Sequence, residues 1–270
     1  MILLAAGAVA AAPAALPVQL AFAILGIGVV GMVHGAGDLA VVAPARRPPF
    51  LALYGIVSLG TFLWWTTDPA IALPAFLVAS AVHFGLEDAP VDAPVERIAR
   101  GVALVAAPAA LHLSDYAALL RVAGGPSSAL AAWTPILAMV GGGAALLLLG
   151  LAWQRRDGRL ASGVAALLIL PPLVGFTLGF LILHAIPQTV DRRDRLGYPD
   201  TPTYLRAVAP VFGAAVVLAA MVAALLLHFE PSGVRGLFAG IAALAVPHLL
   251  VTPWFEGGRV RRPALASQIG

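Results

Sequence analysis

Residues 160–186 read LASGVAALLILPPLVGFTLGFLILHAI, and the path of this stretch decides the reading of the whole chain. It carries no charged residue. As one α-helix it would be about 40 Å long, against a bilayer core of about 30 Å. Its centre is Leu170-Pro171-Pro172-Leu173, and two consecutive prolines remove two backbone donors and bend or break a helix. A segment that enters a membrane, breaks at the double proline and returns to the side it came from satisfies both facts. Non-helical backbone at that depth is tolerated only where protein buries it or it lines a cavity.

The rest of the chain has the matching composition. Of 270 residues, 61% are hydrophobic and 11% charged, and the mean hydropathy is +0.96. A soluble domain carries about 25% charged residues, so this chain lacks the polar surface to coat a globule, and disorder is excluded for the same reason. There is no Cys, which removes disulfides, thiolate metal sites and Cys nucleophiles. Besides 160–186, apolar stretches of membrane-span length are Leu16–Val33, Phe50–Thr66, Ala70–Leu86, Arg97–Leu113, Ser128–Trp153, Thr203–Phe229 and Val234–Trp254. The uncharged stretch before Pro17 reads as an extension of the first span, since a signal peptide begins with a positive region. The expectation is an all-α polytopic transmembrane bundle. It has seven to eight spans with one broken segment around Pro171-Pro172, and residues 1–270 form one integral-membrane domain.

Charge supports the broken segment. All 16 basic residues are Arg. They lie scattered in short loops with no basic tract, so the net charge of +3 is a topology signal and does not point to nucleic acid. Eight simple crossings divide the arginines evenly, eight and eight, between the two sides. If 160–186 returns to its own side, the division becomes fourteen against two, the two being Arg121 and Arg235. Arginine-rich loops face the cytoplasm, so the expected location is the inner cell membrane with these loops cytoplasmic.

The same topology sorts the histidines. His34, His83, His184 and His248 each lie near the end of an apolar segment that finishes on the cytoplasmic side, whereas His112 and His228 finish theirs on the other. Ionisable residues inside a membrane usually line a site or pair with one another, and neutral imidazole is the commonest metal ligand. Four at one depth are a candidate metal site of mostly imidazole character. Asp38, one turn after His34, and Glu87 and Asp88, after His83, are candidates to hold the ligands' second ring nitrogens. Gly31, Gly35, Gly37 and Gly85 allow the close helix approach that such a meeting needs. Phe84 adjoins His83, and Phe176 and Phe180, four apart on one helix face, precede His184. They line an apolar tunnel or simply pack, as Trp64 and Trp65 do at a membrane boundary.

Taken together, His34-Gly35-Ala36-Gly37-Asp38, His83-Phe84-Gly85-Leu86-Glu87-Asp88, Leu170-Pro171-Pro172 followed by Phe176, Phe180 and His184, and Pro247-His248 resemble the Brp/Blh family. Those are bacterial and archaeal integral-membrane β-carotene 15,15′-dioxygenases that supply retinal to microbial rhodopsins. The motifs are short, but they occur in the family's order and run from the first span to the last. The resemblance implies a carotenoid-cleaving dioxygenase that uses Fe(II) and O2 on β-carotene, or a related carotenoid, taken from the bilayer. It assigns His34, His83 and His184 as iron ligands, and Phe84, Phe176 and Phe180 are then the candidates for the wall of the substrate tunnel. The family's third motif has a second His four residues after the first, where this chain has Gln188. Three readings are open there: His248 completes the shell, three histidines leave a position for water or Gln188, or this member has altered or lost the activity. Of these, completion by His248 is preferred. The competing class is a histidine-lined transporter built around the Pro171-Pro172 break, which predicts no iron and some internal pseudo-symmetry. A haem protein with two axial histidines is a third reading.

Overall fold

The computed structural model describes residues 2–125, 129–228, 231 and 233–255. The span ends Ser128 and Phe229, and the arginines Arg259, Arg261 and Arg262 of the charge balance, lie outside the described residues. In chain order the helices are α1 (Ile2–Ala11), α2 (Leu16–Val41), α3 (Pro44–Thr67), α4 (Pro69–Asp88), α5 (Pro94–Ala106), α6 (Pro108–Leu111), α7 (Leu113–Gly124), α8 (Ala129–Arg155), α9 (Gly158–Ile169), α10 (Pro172–Arg195), α11 (Thr201–Leu225) and α12 (Val234–Phe255). Of these, α2, α3, α4, α8, α10, α11 and α12 are long and apolar enough to cross a membrane. The protein is a polytopic helical bundle.

The stretch 160–186 breaks where its prolines require. Helix α9 has 12 residues and is about 18 Å long, too short to cross. Leu170 and Pro171 are extended, and Pro172 opens α10 at a position where its missing N–H costs nothing. The two helices then pack antiparallel. Gly163 lies against Leu183, Gly175 against the Ala166 carbonyl, and Gly179 against Leu167. Each glycine gives up a side chain so that the backbones can approach, which is how helices associate where no hydrophobic drive separates them from lipid. At the tip of this hairpin the Nε2 of His112 bonds the Ile169 carbonyl at 3.1 Å, satisfying one of the carbonyls that the end of a helix leaves open.

The expected span Arg97–Leu113 takes a different form. It is the pair of stacked shorter helices α5 and α6, and α7 comes next as a further helix that the hydropathy pattern did not suggest. Pro108 cannot continue the hydrogen-bond ladder. The first turns of α5 carry Glu96, Arg97 and Arg100, so one face is polar. Glu96 is buried and accepts from Arg100 and from Arg155 of α8 at 2.7–2.9 Å. Burial alone would push the Glu96 carboxyl up, but the two guanidinium groups outweigh it and hold it below the usual carboxylate range.

Two turns of π-helix shape the centre of the bundle. One spans Gly26–Gly31 in α2 and the other Leu181–Ala185 in α10. In α10 the cause is local: Pro187 has no N–H to offer the Leu183 carbonyl and its ring crowds that carbonyl, so the turn widens. In α2, Gly26 lies against Thr177 and Gly31 against Phe180, so the glycine-rich π turn seats directly on α10. Each π turn shifts the phase of its helix. In α2 the residue re-aimed is His34, just past the turn; in α10 it is His184, within the turn itself.

Candidate metal centre

Four helices bring four imidazoles together. The ring of His34 on α2 lies 5.0 Å from that of His184 on α10 and 5.2 Å from that of His248 on α12. The ring of His83 on α4 lies 5.1 Å from His184 and 5.3 Å from His248. All four contacts are edge to face, so the rings adjoin one another in a closed circuit and do not stack. His112, at the hairpin tip, and the exposed His228, after α11, stand apart from this group.

Three of the four rings are held from behind through Nδ1. His184 donates Nδ1–H to the carboxylate of Asp88, 2.9 and 3.0 Å from its two oxygens. His248 donates Nδ1–H to Oδ2 of Asp38 at 2.6 Å. The same oxygen accepts from Thr252 at 2.8 Å, and Arg192 stands 3.4 Å from Oδ1. His34 Nδ1 bonds the Gly31 carbonyl. A proton fixed on Nδ1 leaves the Nε2 lone pair free. The Nε2 atoms of His184 and His248 are buried and have no hydrogen-bond partner. A buried acceptor without a partner costs about 1–3 kcal/mol, so two of them at the centre of a histidine cluster fit a cation. His83 Nε2 lies 3.7 Å from the Glu87 carboxylate, beyond hydrogen-bond length. One nitrogen of His83, one of His184 and one oxygen of Glu87 all lie within 4.8 Å of one another. The donor set is imidazole with one half-exposed carboxylate, which suits iron and other borderline metals.

Two assignments differ from what spacing implied. Asp38 comes four residues after His34, yet it serves His248 and not His34. The helix is interrupted at Gly37, so the one-turn relation to His34 is lost and Asp38 turns toward α12. Gln188 donates to the Asp88 carboxylate at 3.2 Å and to the Glu87 carbonyl at 3.3 Å. It thereby buttresses the partner of His184, and Asp88 is used as that partner while Glu87 faces His83. Thr252 and Arg192 belong to the same network, and no spacing rule pointed to them.

The aromatic residues gather as a wall. Phe176 and Phe180 stack at 5.8 Å with 14° between their planes. Phe180 and Phe84 lie 5.4 and 4.8 Å from the His184 ring. All three border a cavity that also touches the four histidines and is otherwise lined almost wholly by apolar side chains, Phe76 and Phe238 among them. Trp65 lies outside it, packed on Phe76. A second cavity also reaches His34 and His248. The arrangement can therefore hold a cation at one end of an apolar chamber.

No curated protein and no solved structure matches the chain. Residues 25–256 match the family model described as beta-carotene 15,15′-dioxygenase, a range that takes in all four clustered histidines, the broken segment and both cavities. With a matched range that covers most of its length, the chain belongs to the β-carotene 15,15′-dioxygenase family.

Proposed function

We propose that the protein cleaves the central 15,15′ double bond of β-carotene with O2, giving two molecules of retinal, and that His34, His83, His184 and His248 hold a ferrous ion for this reaction. The observation that carries the reading is the ring of four imidazoles with two buried, unpartnered Nε2 atoms, set at the end of an apolar chamber. Ferrous iron, when bound, supplies the activation of O2. The remaining work falls to the chain. Asp88 and Asp38 keep protons on Nδ1 of His184 and His248 and so aim both Nε2 lone pairs inward. His248 takes the place of the histidine that Gln188 replaces, and Gln188 steadies Asp88. Glu87 stands at the rim as a further oxygen donor or a partner of His83. Phe84, Phe176 and Phe180 flatten one wall against which a polyene lies, fixing by proximity which bond meets the histidines.

The reaction balances without a general base. One carbon–carbon double bond breaks, each carbon gains one atom of the O2, and no proton or external electron is needed. A hydrocarbon substrate dissolved in the bilayer calls for no water-filled path. We further infer an inner-membrane location with the arginine-rich loops cytoplasmic. The test is expression in β-carotene-producing cells. Loss of orange colour with appearance of retinal is expected, and His34→Ala or His83→Ala abolishes both along with bound iron. Folded protein that binds no iron in cells that stay orange refutes the proposal.

A further inference from the structure

The two cavities do not merely lie close; they have a boundary in common, the neck. Ile27, His34, Phe180, Ile241, Ala245 and His248 border both. From that neck the first cavity runs down the bundle. Along α12 its wall extends from His248 back to Leu237, which at 1.5 Å per residue is about 16 Å. Its walls include no exposed residue, and α7 contributes Tyr116, Leu119 and Leu120. The hydroxyl of Tyr116 is spent on the Val105 carbonyl at 2.6 Å. This arm is apolar and the more enclosed of the two.

The second cavity leaves the neck sideways. Its walls include Leu51, 52% exposed, on α3 and Val211 and Ala215 on α11. Helices α3 and α11 both pack on α12 but hardly touch one another, so the cavity opens through the gap between them onto the outside of the bundle. The hydroxyl of Tyr54 in its wall is likewise tied, to the Leu244 carbonyl at 2.9 Å. This arm is apolar and the more open of the two.

On the footing of the function proposed above, we infer that the two cavities are one substrate site. A carotenoid enters between α3 and α11, passes one end through the neck past His34 and His248, and is stopped by the closed arm, whose depth selects the double bond that is cut. The lengths agree. An extended chain advances about 1.1–1.2 Å per bond, from about 3.3–3.6 Å for the three bonds of a residue. Half of a symmetric β-carotene, nine chain bonds and a ring about three bonds deep, is then roughly 14 Å long. The closed arm holds one such half and leaves the other in the open arm. Cutting at any other position breaks another carbon–carbon double bond, again with one O2 and two carbonyl products, so a change of depth changes product lengths and not the chemistry.

The experiment uses the full chain in β-carotene-producing cells, with products separated by chromatography and iron measured per purified protein. The native chain gives retinal alone. Leu120→Phe and Val105→Phe, which shorten the closed arm without touching a histidine, give unequal pairs of shorter and longer apocarotenals with iron content unchanged. Ala215→Trp in the open arm keeps retinal as the sole product but lowers its yield about tenfold or more, the scale of one misfitting group in an apolar pocket. It also lowers the β-carotene that co-purifies with protein from iron-starved cells. Iron-loaded Leu120→Phe and Val105→Phe proteins that yield only retinal overturn the inference, as does Ala215→Trp protein that retains carotene as the native chain does. If the native chain carries iron and leaves β-carotene intact, the proposed function fails; the co-purified carotene of Ala215→Trp against native protein still decides the entry path.

Discussion

The residue whose replacement tests most of this architecture at once is Asp38. Its carboxylate is 2% exposed and joins three helices: it accepts from His248 Nδ1 and Thr252 Oγ1 on α12, pairs with Arg192 on α10, and sits itself at the end of α2. In Asp38→Asn one amide oxygen can still accept from His248, so the ring keeps its place, but the bond loses its ionic character and Arg192 loses its anion. A hydrogen bond to a charged group contributes about 1.5–3 kcal/mol, and replacing the outer partner of a ligating histidine weakens metal binding about 10–100-fold. Tenfold is about 1.4 kcal/mol, so the two scales agree. The expected result is an iron dissociation constant raised by about one to two orders of magnitude, measured by anaerobic Fe(II) titration of the purified protein with Co(II) absorption as a second reporter. Thr252→Val removes the second hydrogen bond to the same oxygen but leaves the His248–Asp38 bond in place, so it shifts the constant less than Asp38→Asn does. Asp38→Asn protein that folds and binds Fe(II) as tightly as the native chain refutes the assignment of His248 to the metal shell.

Other expectations rest on single contacts. Gln188→Leu removes a donor from Asp88 but leaves the His184–Asp88 bond, so iron affinity falls by less than tenfold; a loss as large as that of His184→Ala would make Gln188 itself a ligand. Gly175→Ala places a Cβ 2.8 Å from the Ala166 carbonyl, which is backbone and cannot step aside, and lowers stability by about 1–3 kcal/mol. Gly143→Ala, with nothing within 4 Å, is neutral or stabilising by about 0.5–1 kcal/mol; thermal unfolding in detergent compares the two. The carboxyl of Glu96 is held below its ordinary range, so its contribution is complete above the unfolded carboxylate pKa of about 4.3 and is lost as pH falls through the lower folded value. Melting temperature should fall with acidification below about pH 4, and Glu96→Gln should lower it at pH 7 and flatten that part of the profile.

How much of this is legible in the sequence depends on how far each cause reaches along the chain. The break at Pro171-Pro172 is legible because the missing donors are properties of those two residues alone, and the hairpin that results needs no knowledge of neighbours. Phe176 and Phe180 are four apart in a continuous turn, and they do stack. The relation of Asp38 to His34 rests on the same four-residue rule and fails, because the rule assumes an unbroken helix and Gly37 interrupts it. Arg97–Leu113 is apolar on average, yet Pro108 divides it and a buried carboxylate with its two arginines anchors its start, features that averaging over a window erases. The partner choices are the least legible: Asp88 to His184 spans 96 residues and Thr252 to Asp38 spans 214, with nothing periodic between them. Sorting the histidines by the side on which their segments end names the four whose rings lie together, since depth in a membrane is one coordinate, common to helices that end on one side. It carries no information on azimuth, and azimuth is set here by the two π turns, each adding a residue to a turn and rotating the helix beyond it. Pro187 gives one of those turns a cause that can be read in sequence. Gly26–Gly31 has no such residue of its own and seats instead against Thr177 and Phe180 of α10, so the direction of His34 cannot be read from α2 alone.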